Sequence, residues 1–262
     1  AVFGDVISNL LKKTGHVVVK EYYINDAGSQ INNLTDSVYI RYQELLGKKF
    51  SEYPENFYPG NYLIPVAEHF KIEYADKLLK MSDQDRFSLI KPFTIQYMMG
   101  LIKEDLSSLA INQDIFVSEQ ELVSKGKIEK AIKKLDDAGL IYEGILDPPK
   151  GKKPDDWEAR PQMLFRSTEY GDDVDRPLQK SNKEWTYFAN DIAYHFDKFE
   201  RGSNHLIDIL GADHGGYVKR MTAAVAALTD KKATFSAKLC QMVKLSRNGQ
   251  KMKMSKRSGE FI

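Results

Sequence analysis

Three patterns follow one another in the first 47 residues and set the class of fold. Val2, Val6, Ile7, Leu10 and Leu11 recur at helical spacing until Gly15, a helix stop. Residues 16–24, HVVVKEYYI, concentrate β-branched and aromatic side chains and read as a strand ending at Asn25, Asp26 and Gly28. Ile31, Leu34, Val38, Tyr42 and Leu45 then form one apolar stripe up to Gly47, so a second helix is expected. Helix, strand and helix in such short succession point to an α/β fold with a parallel sheet, whose strands need helical crossovers.

From about residue 51 the character changes. Tyr53, Phe57, Tyr58 and Tyr62 stand among Pro and Gly, and helical stretches are expected over 64–81, 83–109 and 119–138. So long a helix-rich tract between strand signals reads as an insertion with its own packing. Residues 147–161, DPPKGKKPDDWEARP, hold four of the nine prolines and read as a loop. Strand-like pieces resume at 163–166, 177–180 and 184–188, with YGDD and SNK as turns. Asn190 is placed as the N-cap of a helix over 191–199 that stops at Gly202. The apolar strand 206–210, LIDIL, leads into Gly211, Ala212, Asp213 and His214, followed by a helix over 218–228 and a last strand over 239–245. An Asn248-Gly249 turn and a basic loop end the chain.

Composition excludes more than it selects. Hydrophobic residues at 42% and charged ones at 29% of 262 residues are those of a folded chain able to bury a substantial core. Lys and Arg number 38 against 37 Asp and Glu, so any nucleic-acid footprint must be local. The one cysteine, Cys240, lies in an apolar stretch and reads as a buried small hydrophobe, which fits a reducing cytosol. No apolar run approaches the ~20 residues of a membrane span, and the expected location is cytoplasmic. The opening AVFGD has no Met and starts inside a helical pattern, so a portion of a longer protein is expected.

Four stretches carry possible chemistry. In KMSK, Lys253 and Lys256 lie three apart around Met254 and Ser255, with Gly259 to let the backbone bend. Lysines on flexible stems can follow phosphate oxygens, although an isolated basic run is commonly a solvated surface. In ILGADHGGY, a strand ending in Gly-x-Asp lets a ligand approach Gly211 while Asp213 accepts hydrogen bonds from ribose, the bland alternative being an ordinary strand-to-helix turn. In TYFANDIAYHFDKFERG, Tyr187 and Asp191 are four apart across a strand-to-helix junction and can face one ligand, unless Asp191 serves only the helix dipole. Asn25 and Asp26 in EYYINDAGSQ can reach the crevice of an α/β sheet, or simply make a turn. The acids Asp172, Asp173 and Asp175 read as hairpin turn residues rather than a metal site, and the five histidines have no zinc spacing.

Taken in order, EYYINDAGSQ, FRSTEYGDDVDRPLQKS, TYFANDIAYHFDKFERG, LGADHGGYVKRM and KMSKRSG resemble the bacterial arginyl-tRNA synthetases, within the class I aminoacyl-tRNA synthetases. The resemblance covers nearly the whole chain. It implies a class I synthetase Rossmann-like parallel sheet with a helix-rich insertion. Residues 1–50 would open the nucleotide-binding catalytic domain, 51–162 form the insertion, and 163–262 complete the domain and end in the KMSK loop. The resemblance gives the main catalytic role to Lys256, with Lys253 and Ser255 second, and sets Gly211 and Met254 against the nucleotide. Tyr187 and Asp191 match the arginine-binding pair, while Asp213, His214 and Asn25 fall on the substrate side. The implied substrates are ATP with Mg²⁺, L-arginine and tRNA(Arg), the implied activity is arginine-tRNA ligation, and tRNA is implied to be needed for arginine activation. Two departures stand out. Ser181, Asn182 and Lys183 replace the usual Ser-Asp-Gly, and the His-x-Gly-His motif expected immediately before Ala1 is missing with the strand that precedes it. The fragment alone is therefore expected to be inactive, and the rival reading is a truncated or diverged synthetase fragment that acts as a binding module.

Overall fold

The computed structural model describes residues 1–146, 160–241, 243–247 and 249–251. Most of the expected 147–161 loop lies outside these residues, as do Lys253, Met254, Ser255 and Lys256. The chain divides into two compact units, residues 1–116 with those from 243 onward, and residues 117–242.

In the first unit α1 (Val2–Lys13) is tied to the neighbouring segment by Lys20 Nζ, 2.7 Å from Asp5 Oδ1. The expected strand over 16–24 shortens to β1 (Glu21–Ile24). Its partner β2 (Ile115–Ser118) is four residues long, and pairing begins only where Lys20 N donates to Asp114 Oδ2 and Asp114 N to Lys20 O. Ahead of that point β-branched residues have nothing to pair with, and Val17 is 99% exposed. The apolar stripe after Gly28 does form a helix, α2 (Ser29–Leu45). The helix expected over 64–81 is interrupted: α3 (Ile64–Tyr74) stops where Ala75 takes φ 51°, and a 3₁₀ turn follows at Lys77–Lys80. Tyr42, fully buried, donates its hydroxyl to the Ala75 carbonyl at 2.7 Å and holds that break. The long α4 (Asp83–Ser108) starts at Ser82, whose hydroxyl accepts from Asp85 N. Val38, Tyr42, Leu63, Val66, Phe70 and Ile90 centre this unit's core.

The second unit opens with α5 (Glu119–Ser124) and α6 (Lys127–Asp137), one expected helix divided at Gly126 with φ 66°. A small antiparallel sheet, unexpected in its first strand, joins β3 (Ile141–Gly144), β4 (Gln162–Phe165) and β5 (Arg176–Pro177), with Ile141 opposite Phe165 and Leu164 opposite Pro177. Next comes α7 (Tyr187–Glu200), and then β6 (His205–Gly211), α8 (Tyr217–Leu228) and β7 (Thr234–Cys240). β6 and β7 are parallel, from His205 opposite Thr234 to Gly211 opposite Cys240, with α8 as crossover.

Two boundaries differ from expectation. The strand expected over 239–245 begins at Thr234, because Asp230 and Lys231 (φ 51° and 61°) turn the chain tightly after α8 and Thr234 N donates at once to Asn204 O. The strand expected over 184–188 reduces to a single bridge, Gln179 with Trp185, since Thr186 caps α7 by accepting from Ala189 N at 3.2 Å. Ala189, Ile192 and Ala193 of α7 meet Met221, Ala224 and Leu228 of α8 in the unit's core. In the first unit, a last hairpin pairs β8 (Ser246–Arg247) with β9 (Gln250–Lys251) across Gly249, φ 77°. Among the described residues no helix is long and apolar enough to cross a membrane.

Candidate functional site

The Thr186 cap starts α7 at Tyr187, so Tyr187 and Asp191 lie one turn apart on the same helix rather than across a junction. Tyr187 is 72% exposed. Asp191 is half-buried, and its carboxyl is surrounded by other elements. Tyr217, at the start of α8, hydrogen-bonds to it, while Asp208 of β6 and Glu119 of α5 bring further negative charge. Burial is the main cause that pushes the Asp191 carboxyl up to about 7, with Asp208 and Glu119 adding to the effect and Tyr217 and Lys198 opposing it. Asp208 goes the other way. Burial would raise it too, but His195 and Lys198 outweigh burial and hold it well below the usual carboxylate range. His195 Nε2 is 3.0 Å from Asp208 Oδ2 and Lys198 Nζ 3.3 Å from Oδ1.

At the end of β6 the sequence Gly-Ala-Asp-His makes one 3₁₀ turn, Ala212–His214, before α8. Asp213 folds back until Oδ1 lies over Gly211, so a Cβ there would push the exposed Asp213 carboxylate aside. Asp213 and His214 are exposed, with His214 Nε2 3.8 Å from Asp213 Oδ2. The His214 ring meets Tyr217 edge-on, with centroids 6.3 Å apart. Tyr217 thereby joins the Gly-x-Asp turn to Asp191. Asn25 is exposed just beyond β1 in the first unit, beside a tight turn in which Asp26 N donates to Ile24 O.

The sequence motifs do not single out Tyr217, Glu119, Asp208, His195 or Lys198, and they give Asn190 only the role of an N-cap. Asp191, His195 and Lys198 are spaced i, i+4 and i+7, one face of a helix, and that pattern was available. Asn190 does not cap α7. Its Nδ2 donates to Glu119 Oε1 at 2.9 Å, and its buried Oδ1 has no hydrogen-bond partner among the described residues. A buried acceptor of this kind ordinarily costs ~1–3 kcal/mol, so it marks a place where a donor is welcome.

The acids of GDDVD serve structure. Asp172 grips Arg176 with both oxygens, at 2.6 and 2.7 Å, and accepts from Ser167. Asp175 accepts from Thr168 and Tyr142, and Asp173 pairs with Lys219. Among the described residues no group of three or more His, Cys, Asp or Glu is arranged to hold a metal ion. In the Ser181-Asn182-Lys183 turn, Lys183 adopts φ 67°, a conformation that favours glycine, and Asn182 Oδ1 steadies the turn by accepting from Glu184 N.

No protein-family model matches the chain. It is 55% identical over 261 residues to the arginine-tRNA ligase of Rickettsia bellii and 54% identical over 262 residues to that of Paracoccus denitrificans, in each case along 100% of the chain and 45% of the relative. The chain thus spans about half the length of the curated relatives it matches. A Campylobacter jejuni structure assigned to arginyl-tRNA synthetase superposes on 97% of the chain and 52% of that protein, with a TM-score of 0.80 at 31% identity. The Thermus thermophilus arginyl-tRNA synthetase shares the fold at a TM-score of 0.53 and 16% identity, over 89% of the chain and 44% of that protein. From end to end, the chain is homologous to a segment of bacterial arginine-tRNA ligase.

Proposed function

We propose that the chain supplies the catalytic core of an arginine-tRNA ligase, built on a Rossmann-like parallel sheet whose two parts, residues 1–50 and 163–262, flank a helix-rich insertion at 51–162. The parallel β6-α8-β7 unit supports that reading, because ligands of open α/β sheets bind beyond the carboxyl ends of the strands. A carboxylate oxygen of L-arginine attacks the α-phosphorus of ATP, the bond to the pyrophosphate oxygen breaks, and arginyl-adenylate and pyrophosphate result. A hydroxyl at the 3′ end of tRNA(Arg) then takes the arginyl group and AMP departs. ATP enters as its Mg²⁺ complex, with the metal carried by the triphosphate. Both displacements proceed by positioning and charge stabilisation, without a covalent link to the protein. The setting is the cytoplasm.

One observation supports the assignment of arginine: the Asp191 carboxyl lies desolvated beside Asp208 and Glu119, and the nearby cation, Lys198, is bonded to Asp208. A guanidinium supplies positive charge and fits a carboxylate through two parallel hydrogen bonds, where the lysine ammonium makes a point contact. Tyr187, exposed one turn earlier, lies against the substrate's stem. Gly211, Asp213 and His214 take the nucleoside, with Asn25 on the substrate side. Lys256, assisted by Lys253, Ser255 and Met254, stabilises the departing phosphates.

Arginine-dependent ATP-pyrophosphate exchange by the full-length gene product, with tRNA(Arg) present, tests this reading. Asp191→Ala is expected to raise KM for arginine roughly 100-fold, the scale of a lost charge-assisted pair, and to leave KM for ATP within about threefold. An arginine dependence equal to wild type overturns the assignment. Binding of tRNA without any exchange activity favours the binding-module alternative.

A further inference from the structure

Behind Asp191 a single ring fastens α7 to β6. His195 is 2% exposed, with Nδ1 2.7 Å from the main-chain oxygen of Asp191 and Nε2 3.0 Å from Asp208 Oδ2. The ring therefore bridges the main chain of Asp191 and the side chain of Asp208. Phe235 of β7 and Tyr194 of α7 meet the ring edge-on, at centroid distances of 5.3 and 5.4 Å, and leave it little freedom to turn. Lys198 occupies the other oxygen of Asp208 while lying over the Tyr194 ring at 4.0 Å.

Charge around this cluster is unevenly divided. Asp191 is faced by Lys198 from α7, Asp208 from β6, Glu119 from α5 and Tyr217 from α8, and Arg220 of α8 feels it more weakly. His195 and Lys198 both bond to Asp208 rather than to the Asp191 carboxyl. The hydrogen bond that lowers Asp191 comes from the Tyr217 hydroxyl, while Asp208 and Glu119 raise it and Lys198 acts on it only through its charge.

We propose that His195 is a positioning residue for Asp191 and that, by holding Asp208 as an anion beside it, His195 couples capture of a guanidinium to the release of one proton. This rests on the arginine-binding reading of Asp191 given above. Without a cation the Asp191 carboxyl keeps its proton, since ionising it would place a second anion beside Asp208 in desolvated surroundings. An arriving guanidinium provides the counter-charge, the O–H bond of the carboxyl breaks, and the proton passes to solvent. The bond from His195 to the Asp191 carbonyl fixes where that carboxyl stands while its charge changes.

Calorimetric titration of the full-length protein with L-arginine, in buffers of differing ionisation enthalpy, counts the protons exchanged. About one proton is expected to leave per arginine at pH 6 and about a tenth of one at pH 8, where the carboxyl is already ionised. In Asp208→Asn the pH profile should move to lower pH by about one unit. His195→Gln can still reach Asp208 but cannot also hold the Asp191 carbonyl, and it is expected to weaken arginine binding about tenfold. Arginine bound with no proton released at pH 6, or a profile unmoved in Asp208→Asn, overturns the coupling and leaves the arginine reading in place. Wild-type affinity in His195→Gln overturns the positioning role. Absence of any arginine binding by the wild type sinks the arginine reading itself, and the proposal with it. The wild-type proton count needs no variant, so it decides the question even where a substituted protein fails to fold.

Discussion

Two carboxyls of one cluster, Asp191 and Asp208, are driven in opposite directions by their neighbours, and stability should record the difference. The Asp191 carboxyl, raised from 3.8 to about 7, keeps its proton when folded over a range in which the unfolded chain has lost it. The folded state therefore binds more protons between about pH 4 and pH 7, and stability contributed at this position falls as pH rises through that window. Asp208, lowered, contributes stability that is present above the ordinary carboxylate range and disappears in acid. Asp191→Asn removes the first effect, so its thermal midpoint relative to wild type should climb from pH 4 to pH 7 and level off above. A difference independent of pH would mean that the carboxyl is not desolvated. The four-residue spacing of Tyr187 and Asp191 was legible in the sequence, but across an expected strand-to-helix junction rather than along the one helix that holds them. Asp208, Glu119 and Tyr217 reach Asp191 from three other elements, and no local pattern announces such meetings.

At the scale of elements, the start of α7 decides where the site's helix points. Thr186→Ala deletes the hydroxyl that accepts from Ala189 N and should destabilise the protein by ~1 kcal/mol, with faster amide exchange confined first to the opening turn of α7. Uniform exchange along the whole helix would show that the cap is not what fixes its start. This boundary was hard to read from residues alone. Trp185, Tyr187 and Phe188 have the aromatic content of a strand, yet a threonine followed by a burying face of Ala189, Ile192 and Ala193 wins as a helix. The helical stripes of α2 and α8 were legible because their apolar spacing is long and regular. Strands such as β3 and β5 were missed or misplaced because they are short, and a short strand depends on a partner distant in sequence more than on its own composition.

At the scale of the molecule, alternating helices and strands foretold a mixed α/β protein, and ordered motifs foretold its kinship. Each compact unit has its own apolar cluster. Leu63 is fully buried in the first, so Leu63→Ala should lower stability by ~3 kcal/mol in denaturant unfolding and speed amide exchange in α2, α3 and α4. A loss below ~1 kcal/mol would mean that the side chain is not enclosed as described.

β6 and β7 stop in step, Gly211 level with Cys240. Both strands therefore end on one ledge, the first bending through Asp213 toward α8 and the second stopping at Cys240. A strand alternates its faces residue by residue and advances ~3.3 Å with each. One residue inserted between Phe235 and Cys240 would thus exchange the faces of the β7 residues that follow it, while Phe235 keeps its edge-on contact with Tyr217.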